Sequence, residues 1–165
     1  MNFVLIEGSF DLNKIGYDFS EVIEESEQGC MLPLSPDTIG ANMLTGVVLV
    51  GQTVVATSAI KEHVTVLDKR NPDFWQPYDF ALLGGCVTTE RYKRIGINTQ
   101  MIKELTQKSA VHPGLTGVTG FFNEQSAQVV KRLDFTDSCF WLWGQKEINE
   151  NGRTRHSLIF PAKAQ

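Results

Sequence analysis

Several of the features that most readily reveal a protein's work are missing from this sequence. There is no surplus of cations: 15 Lys and Arg stand against 19 Asp and Glu, a net charge of −4. Nucleic acid is therefore not expected as a partner, because phosphate backbones are held by clustered Lys and Arg. Cysteine is scarce. Cys30, Cys86 and Cys139 form no CxxC pair and cannot all pair with one another, which favours reduced thiols in a cytoplasmic protein. His63, His112 and His156 are far apart, with no HxxxH or HExxH spacing, so no metal site is expected. No apolar run approaches the ~20 residues that span a bilayer, so no membrane association is expected. The first residues lack a basic start and a long apolar core, so they do not read as a signal peptide. Neither GxGxxG nor GxxxxGK[ST] occurs, which removes dinucleotide and P-loop readings on spacing.

What is present is a chain of 165 residues, a length that suits one domain, residues 1–165, with a full core. Phe3–Ile6 reads as a short strand. Ile15–Glu27 mixes Tyr17, Phe19, Val22 and Ile23 with acidic residues and reads as an amphipathic surface helix. Ser35 or Asp37 is placed to cap a short helix through Met43. Gly46–Val50, Gly51–Gln52 and Thr53–Ile60 read as a hairpin with a type II′ turn, and Val64–Leu67 extends it. Asp68–Tyr78 is an aromatic loop. Asp79–Thr88 is uniformly apolar, as expected of a strand buried on both faces. Its adjacent Gly84 and Gly85 suggest a bulge or a close approach by a ligand.

A basic turn and an amphipathic helix follow, with Ile97, Met101, Ile102 and Leu105 on one face. Pro113 stops that region. Gly117–Phe122 is the next strand, and Asn123 caps a helix over Glu124–Leu133. Ser138–Gly144 and Arg153–Phe160 are the last strands, with a turn at Asn149–Gly152. The order predicts an α/β chain with a mixed sheet and helices on its faces.

The stretch from Ala81 to Leu105 carries the chemistry. A strand runs into Lys93, Arg94 and Gly96, then into a helix. The amides from about Arg94 to Asn98 emerge along the helix axis without partners inside it. Gly96 has no side chain to keep a diphosphate off the backbone. Lys93 and Arg94 add charge, and Thr99 adds a hydroxyl. A helix start of this kind holds anions, most often phosphate.

These residues resemble the GNAT superfamily of acetyl-coenzyme A-dependent acyltransferases, whose strand–loop–helix run reads V-x-P-x-Y-R-x-x-G-I-G-x-x-L-I. Val87 to Tyr92 and then Lys93, Arg94, Ile95, Gly96, Ile97 and Asn98 follow that run. Lys93 stands where Gln or Arg is usual, and Asn98 where a second small residue is usual. A second match lies in Asn123–Phe135, similar to the family's N-x-x-S/A segment: Asn123, Ser126, Leu133 and Phe135 agree, and Asp134 replaces a Gly. The two matches cover about Asp79–Phe135.

The resemblance implies a mixed, mostly antiparallel central sheet flanked by helices, the GNAT-like acyl-CoA N-acyltransferase fold. It implies acetyl-CoA as co-substrate and direct transfer of acetyl to an amine, with no covalent enzyme intermediate. Cys86, Val87 and Thr88 would splay from Gly117–Phe122 and pair with the pantetheine arm. A backbone N–H near Cys86–Val87 would stabilise the oxyanion. Lys93 through Thr99, with Asn123 and Ser126, would hold the rest of the coenzyme.

Many members use a Tyr seven residues after the Asn as acid; here it is Val130. Ser126 is a possible substitute, or a first-turn helix residue bonding backbone. Asp79 and Glu90 are candidate bases, or a loop cap and a solvated turn residue. The acceptor, a small-molecule amine or a peptide or protein amine, is not legible. Phe140, Trp141, Leu142 and Trp143 are apolar at consecutive positions, which suggests that a homodimer covers one face. The alternative is a catalytically weak or inactive acyl-CoA-binding regulator on the same fold.

Overall fold

The computed structural model describes residues 1–28, 33–68, 77–110, 115, 117–122, 124–137, 140–141, 147–150 and 153–161. Its elements are β1 (Asn2–Glu7), α1 (Ser20–Gln28), α2 (Pro36–Gly40), β2 (Leu44–Val50), β3 (Thr53–Asp68), β4 (Pro77–Thr88), α3 (Ile97–Ala110), β5 (Gly117–Phe122) and α4 (Glu124–Lys131). Then come β6 (Thr136–Asp137), β7 (Phe140–Trp141), β8 (Glu147–Glu150) and β9 (Arg153–Pro161). The sheet is mixed and mostly antiparallel, with one parallel pairing, β4 with β5, among the described strands. Two compact units can be distinguished: residues 1–61 with 84–105, and residues 62–83 with 106–165.

In the first unit β2 pairs antiparallel with β1 on one side and with β3 on the other. The tight turn between β2 and β3 places Gly51 at φ +62°. Gln52 is not among the positive-φ residues, the combination that a type II′ turn requires. One face of this sheet is fixed by a core of Phe19, Val22, Ile39, Val47, Leu49, Val54 and Val87. Thus α1 and α2 sit over that face. The opposite face is met by α3: a Cβ on Gly46 would lie 3.2 Å from Met101 Cγ. Met101, Ile102 and Leu105 are buried, so the apolar stripe read from the sequence is the packed one.

Three helix boundaries differ from the sequence reading, among them the end of α4 at Lys131 instead of Leu133. The first helix begins at Ser20, not Ile15. Asp18 stops it: its backbone bonds Gln52 and Val54, and its carboxylate accepts the Ser20 N–H at 2.9 Å. The second helix ends at Gly40 instead of Met43, and Ser35, not Asp37, is its cap. Ser35 and Thr38 bond reciprocally as a capping box.

In the second unit Phe80–Leu83 pair parallel with Gly117–Gly120, and β5 pairs antiparallel with β9. The apolar run Phe80–Leu83 is buried on both faces, as parallel pairing demands. Helix α4 packs on β5 and β9 and buries Ala127 and Val130. Most of the Asp68–Tyr78 loop, Asn123, His112–Gly114, Leu142–Gly144 and the Asn151-Gly152 turn lie outside the described residues.

Candidate functional site

Strand β4 changes character at Gly84. Its parallel register with β5 ends at Leu83 opposite Gly120. Gly85 takes φ +62° within the strand, a conformation that favours glycine and that marks a bulge. The bulge turns both glycines to the α1–α2 face. A Cβ on Gly85 would meet Leu34 Cδ2 at 3.7 Å, and one on Gly84 would meet the Lys61 stem. Gly84, Gly85 and Cys86 are half-buried between the buried Leu83 and Val87. The glycine pair singled out in the sequence is thus a bulge that keeps the backbone accessible.

Cys86 points to the α3 face, with its Sγ 2.8 Å from Ser58 Oγ. Burial pushes its thiol up from 9.0 to about 11, more than the Ser58 hydrogen bond and the Lys61 charge pull it down. The thiolate fraction at pH 8 is then lowered about a hundredfold, and a nucleophilic role is disfavoured. We expect residue-resolved alkylation of Cys86 at pH 8 to be at least tenfold slower in the native than in the denatured protein. The sign for stability follows. Because the folded value is raised, the contribution is intact below pH 9 and is lost as pH climbs toward 11.

Val87 anchors the end of β4 in the core, and Thr89 closes it. The Thr89 N–H and Oγ1 both donate to the Val55 carbonyl, at 2.9 and 3.1 Å. A 3-10 turn, Glu90–Tyr92, leads into the basic loop. There Arg94 has φ +66° and Gly96 φ +83°. A left-handed non-glycine residue costs about 1 kcal/mol and is characteristic of ligand sites. Alternating left-handed residues turn successive N–H groups toward one side, a geometry that binds anions.

The Gly96 carbonyl accepts the first helical bond, from Gln100 N–H at 3.0 Å. The N–H groups of the first turn of α3 are therefore not used within the helix. Apart from its chain neighbours, no atom of the described residues lies within 4 Å of a Cβ built on Gly96, so the cradle is open above it. Thr88 Oγ1 and Asn98 Oδ1, like Thr45 Oγ1 and Thr106 Oγ1, are buried without hydrogen-bond partners among the described residues. Such groups are costly unless something pairs with them. A hydroxyl, and an amide that can turn either end outward, suit a polar, phosphate-bearing ligand.

Lys93 is engaged within the protein. Its Nζ pairs with Glu25 of α1 at 2.5 Å and with Glu90 at 2.9 Å. Hydrogen bonds that its ammonium donates to Glu25 and then to Glu90 raise its pKa, and Lys93 lowers that of Glu90. The pairs are partly exposed, so solvent screening leaves them a minor part in stability. They do weaken Glu90 as a base, since a carboxylate held by an ammonium binds protons less readily. No local signal marks Glu25: it is 68 residues away from Lys93, on a helix face that reads as solvated.

The other candidate base, Asp79, is exposed and accepts a hydrogen bond from Thr65 Oγ1 at 2.9 Å. Ser126 lies in the first turn of α4. Asp79 and Ser126 belong to the second unit, and the basic loop and Glu90 to the first. Val130, where a Tyr acid is usual, is fully buried.

No family model and no curated protein sequence matches the chain. Solved structures do. The chain is similar to Arabidopsis thaliana NAA60 in complex with a bisubstrate analogue, at 13% identity and TM-score 0.65, over 99% of this chain and 100% of that one. It is also similar to the ribosomal-protein-S18-alanine N-acetyltransferase of Escherichia coli, at 13% identity and TM-score 0.61, over 99% and 96% of the two chains. The N-acetylglutamate synthase of Neisseria gonorrhoeae, complexed with coenzyme A and N-acetyl-glutamate, matches at 14% identity and TM-score 0.63, over 99% of this chain and 36% of that one. The chain has the fold of the GNAT N-acetyltransferases, as its two sequence motifs imply.

Proposed function

We propose that the protein is a single-domain, cytoplasmic N-acetyltransferase that moves an acetyl group directly from acetyl-coenzyme A to an amine. The observation that carries this reading is the left-handed Arg94–Gly96 loop at the start of α3, directly after a bulged β4. It supplies an anion cradle in the loop that the sequence motif assigns to the coenzyme. Arabidopsis NAA60 was crystallised with acetyl-CoA. The coenzyme supplies an activated acetyl thioester.

The protein's part is binding and orientation. Backbone N–H groups from Arg94 to Asn98, together with Thr99, hold the diphosphate. Thr88 and Asn98 offer their unpaired polar atoms. The backbone of Cys86–Thr88, beyond the end of the β4–β5 pairing, pairs with the pantetheine arm, and an N–H near Cys86–Val87 receives the thioester oxygen. Asn123 and Ser126 are assigned to the coenzyme by the motif, and Ser126 also as a candidate acid. Proximity supplies most of the rate. Of the two candidate bases Glu90 is weakened by the Lys93 ammonium that holds it, which leaves Asp79 as the preferred candidate.

Calorimetry with acetyl-coenzyme A and with coenzyme A tests the reading, and no binding up to millimolar concentration overturns it. A second reading, a coenzyme-binding regulator without turnover, is favoured by the buried Val130 and by the engaged Glu90. Thiol release across a panel of amines and peptides separates the two. We also propose a homodimer through the apolar Phe140–Trp143 segment. Light scattering is expected to give twice the chain mass, and a strictly monomeric mass counts against it.

A further inference from the structure

The bulge of β4 leaves one side chain unexplained. By the β2–β3 register, Thr57 lies opposite Val47, and Ala59 opposite Thr45. Val47 belongs to the core beneath α1 and α2, so side chains at alternate positions of β3, through Ala59 to Lys61, share that face. Lys61 uses the room that Gly84 leaves. A Cβ on Gly84 would lie 2.8 Å from Lys61 Cε, 3.3 Å from Cδ and 3.7 Å from Cγ. The aliphatic stem thus lies along the bulge, and its charge reaches far enough to act on the Cys86 thiol.

Lys61 is exposed, and no carboxylate pairs with it among the described residues. The neighbouring basic residue of the site, Lys93, has two carboxylates. On the same face Val87 is sealed under the core, so the accessible backbone there is Gly84 and Gly85, flanked by Leu34 on one side and Lys61 on the other.

We propose that Lys61 selects the acceptor: the amine that is acetylated carries a carboxylate close to it, and the Lys61 ammonium binds that carboxylate. The proposal rests on the coenzyme reading, which puts the thioester at the Cys86–Val87 backbone. An acceptor that reaches the thioester from the α1–α2 face passes the glycines, where Lys61 and Leu34 are the neighbours among the described residues. An unpaired ammonium beside accessible backbone attracts an anion and weighs against a second cation, so amines bearing further positive charge are rejected. The chemistry is shared by a free amino acid, through its own carboxylate, and by a peptide whose first residue is Asp or Glu.

The test uses the whole chain loaded with coenzyme. Initial rates of thiol release are compared for free Ala and alaninamide, and for C-terminally amidated peptides starting with Asp or Glu against the matching Asn, Gln and Ala peptides. Carboxylate-bearing acceptors should be at least about tenfold better in kcat/KM than their uncharged counterparts, the scale of a charge-assisted hydrogen bond. Lys61→Met should remove that ratio through KM, Lys61→Arg should restore much of it, and Lys61→Glu should invert it. Preference for free amino acids or for acidic peptides tells which source of carboxylate is used.

Equal rates for charged and uncharged acceptors, or a ratio unchanged in Lys61→Met, overturn the proposal. If no amine turns over, N-acetyl-aspartate and its amide are titrated into the protein, with and without coenzyme A, and followed by NMR. Binding of the acid that Lys61→Met abolishes supports the proposal, and absence of binding at millimolar concentration overturns it. Calorimetry of coenzyme A alone reports separately on the coenzyme reading, so the two can fail independently.

Discussion

Gly96→Glu should abolish coenzyme binding while leaving the fold intact. Three effects act together. Gly96 sits at φ +83°, where any L side chain costs about 1 kcal/mol. The space above it is open for 4 Å, so a side chain meets no protein atom and projects into the volume where a diphosphate would lie. The added carboxylate faces the anion and the N-terminus of α3, where it competes for the same amides. By calorimetry we expect no detectable binding at millimolar ligand. Thermal unfolding should shift by only a few degrees, the size expected for a strain of about 1 kcal/mol in a chain of this length. Gly96→Ala adds the strain without the charge, so it should weaken binding less than Glu does. Wild-type affinity in Gly96→Glu would remove this loop from the coenzyme site altogether.

Gly40→Ala should be the more damaging change to stability, by about 3 kcal/mol in urea unfolding. Gly40 ends α2, and its carbonyl accepts the Phe10 N–H at 2.9 Å. A Cβ there would lie 2.4 Å from the Phe10 carbonyl oxygen. That neighbour is backbone in a bonded turn and cannot swing aside. Helix propensity favours Ala by about 1 kcal/mol, but the clash is larger and decides the sign. Gly46→Ala serves as the contrast. Its nearest neighbour is Met101 Cγ at 3.2 Å, part of a flexible side chain that can yield by a few tenths of an ångström, so a much smaller loss is expected.

Local signals explain what was readable in the chain. Gly51-Gln52 between β-branched runs specifies the β2–β3 hairpin, because a tight turn with positive φ needs glycine at its first central position. The Asp79–Thr88 stretch reads as a doubly buried strand and is so at Phe80–Leu83, while Asp79 is exposed and Gly84, Gly85 and Cys86 are half-buried. Met101, Ile102 and Leu105 form the packed helix face, with Ile97 half-buried at its start. Boundaries were harder. Asp18 ends the approach to α1 through bonds to Gln52 and Val54, which are over thirty residues away. The choice between Ser35 and Asp37 as cap depended on Thr38 answering with its own hydroxyl.

By itself the sequence determined the order of elements, the basic loop with its glycine before α3, and the glycine pair in β4, since each depends on residues adjacent in the chain. Only the tertiary structure decided how the charges of that site are spent. Lys93 was read as a phosphate ligand, and folding brings Glu25 to it from α1. Lys61 belongs to no local motif, and folding lays it along the bulge of β4 with no carboxylate partner among the described residues. The physical reason is range. Turn, cap and strand propensities act over a few residues. Which ammonium meets a carboxylate depends on groups that approach only when β3, β4 and α1 are packed together.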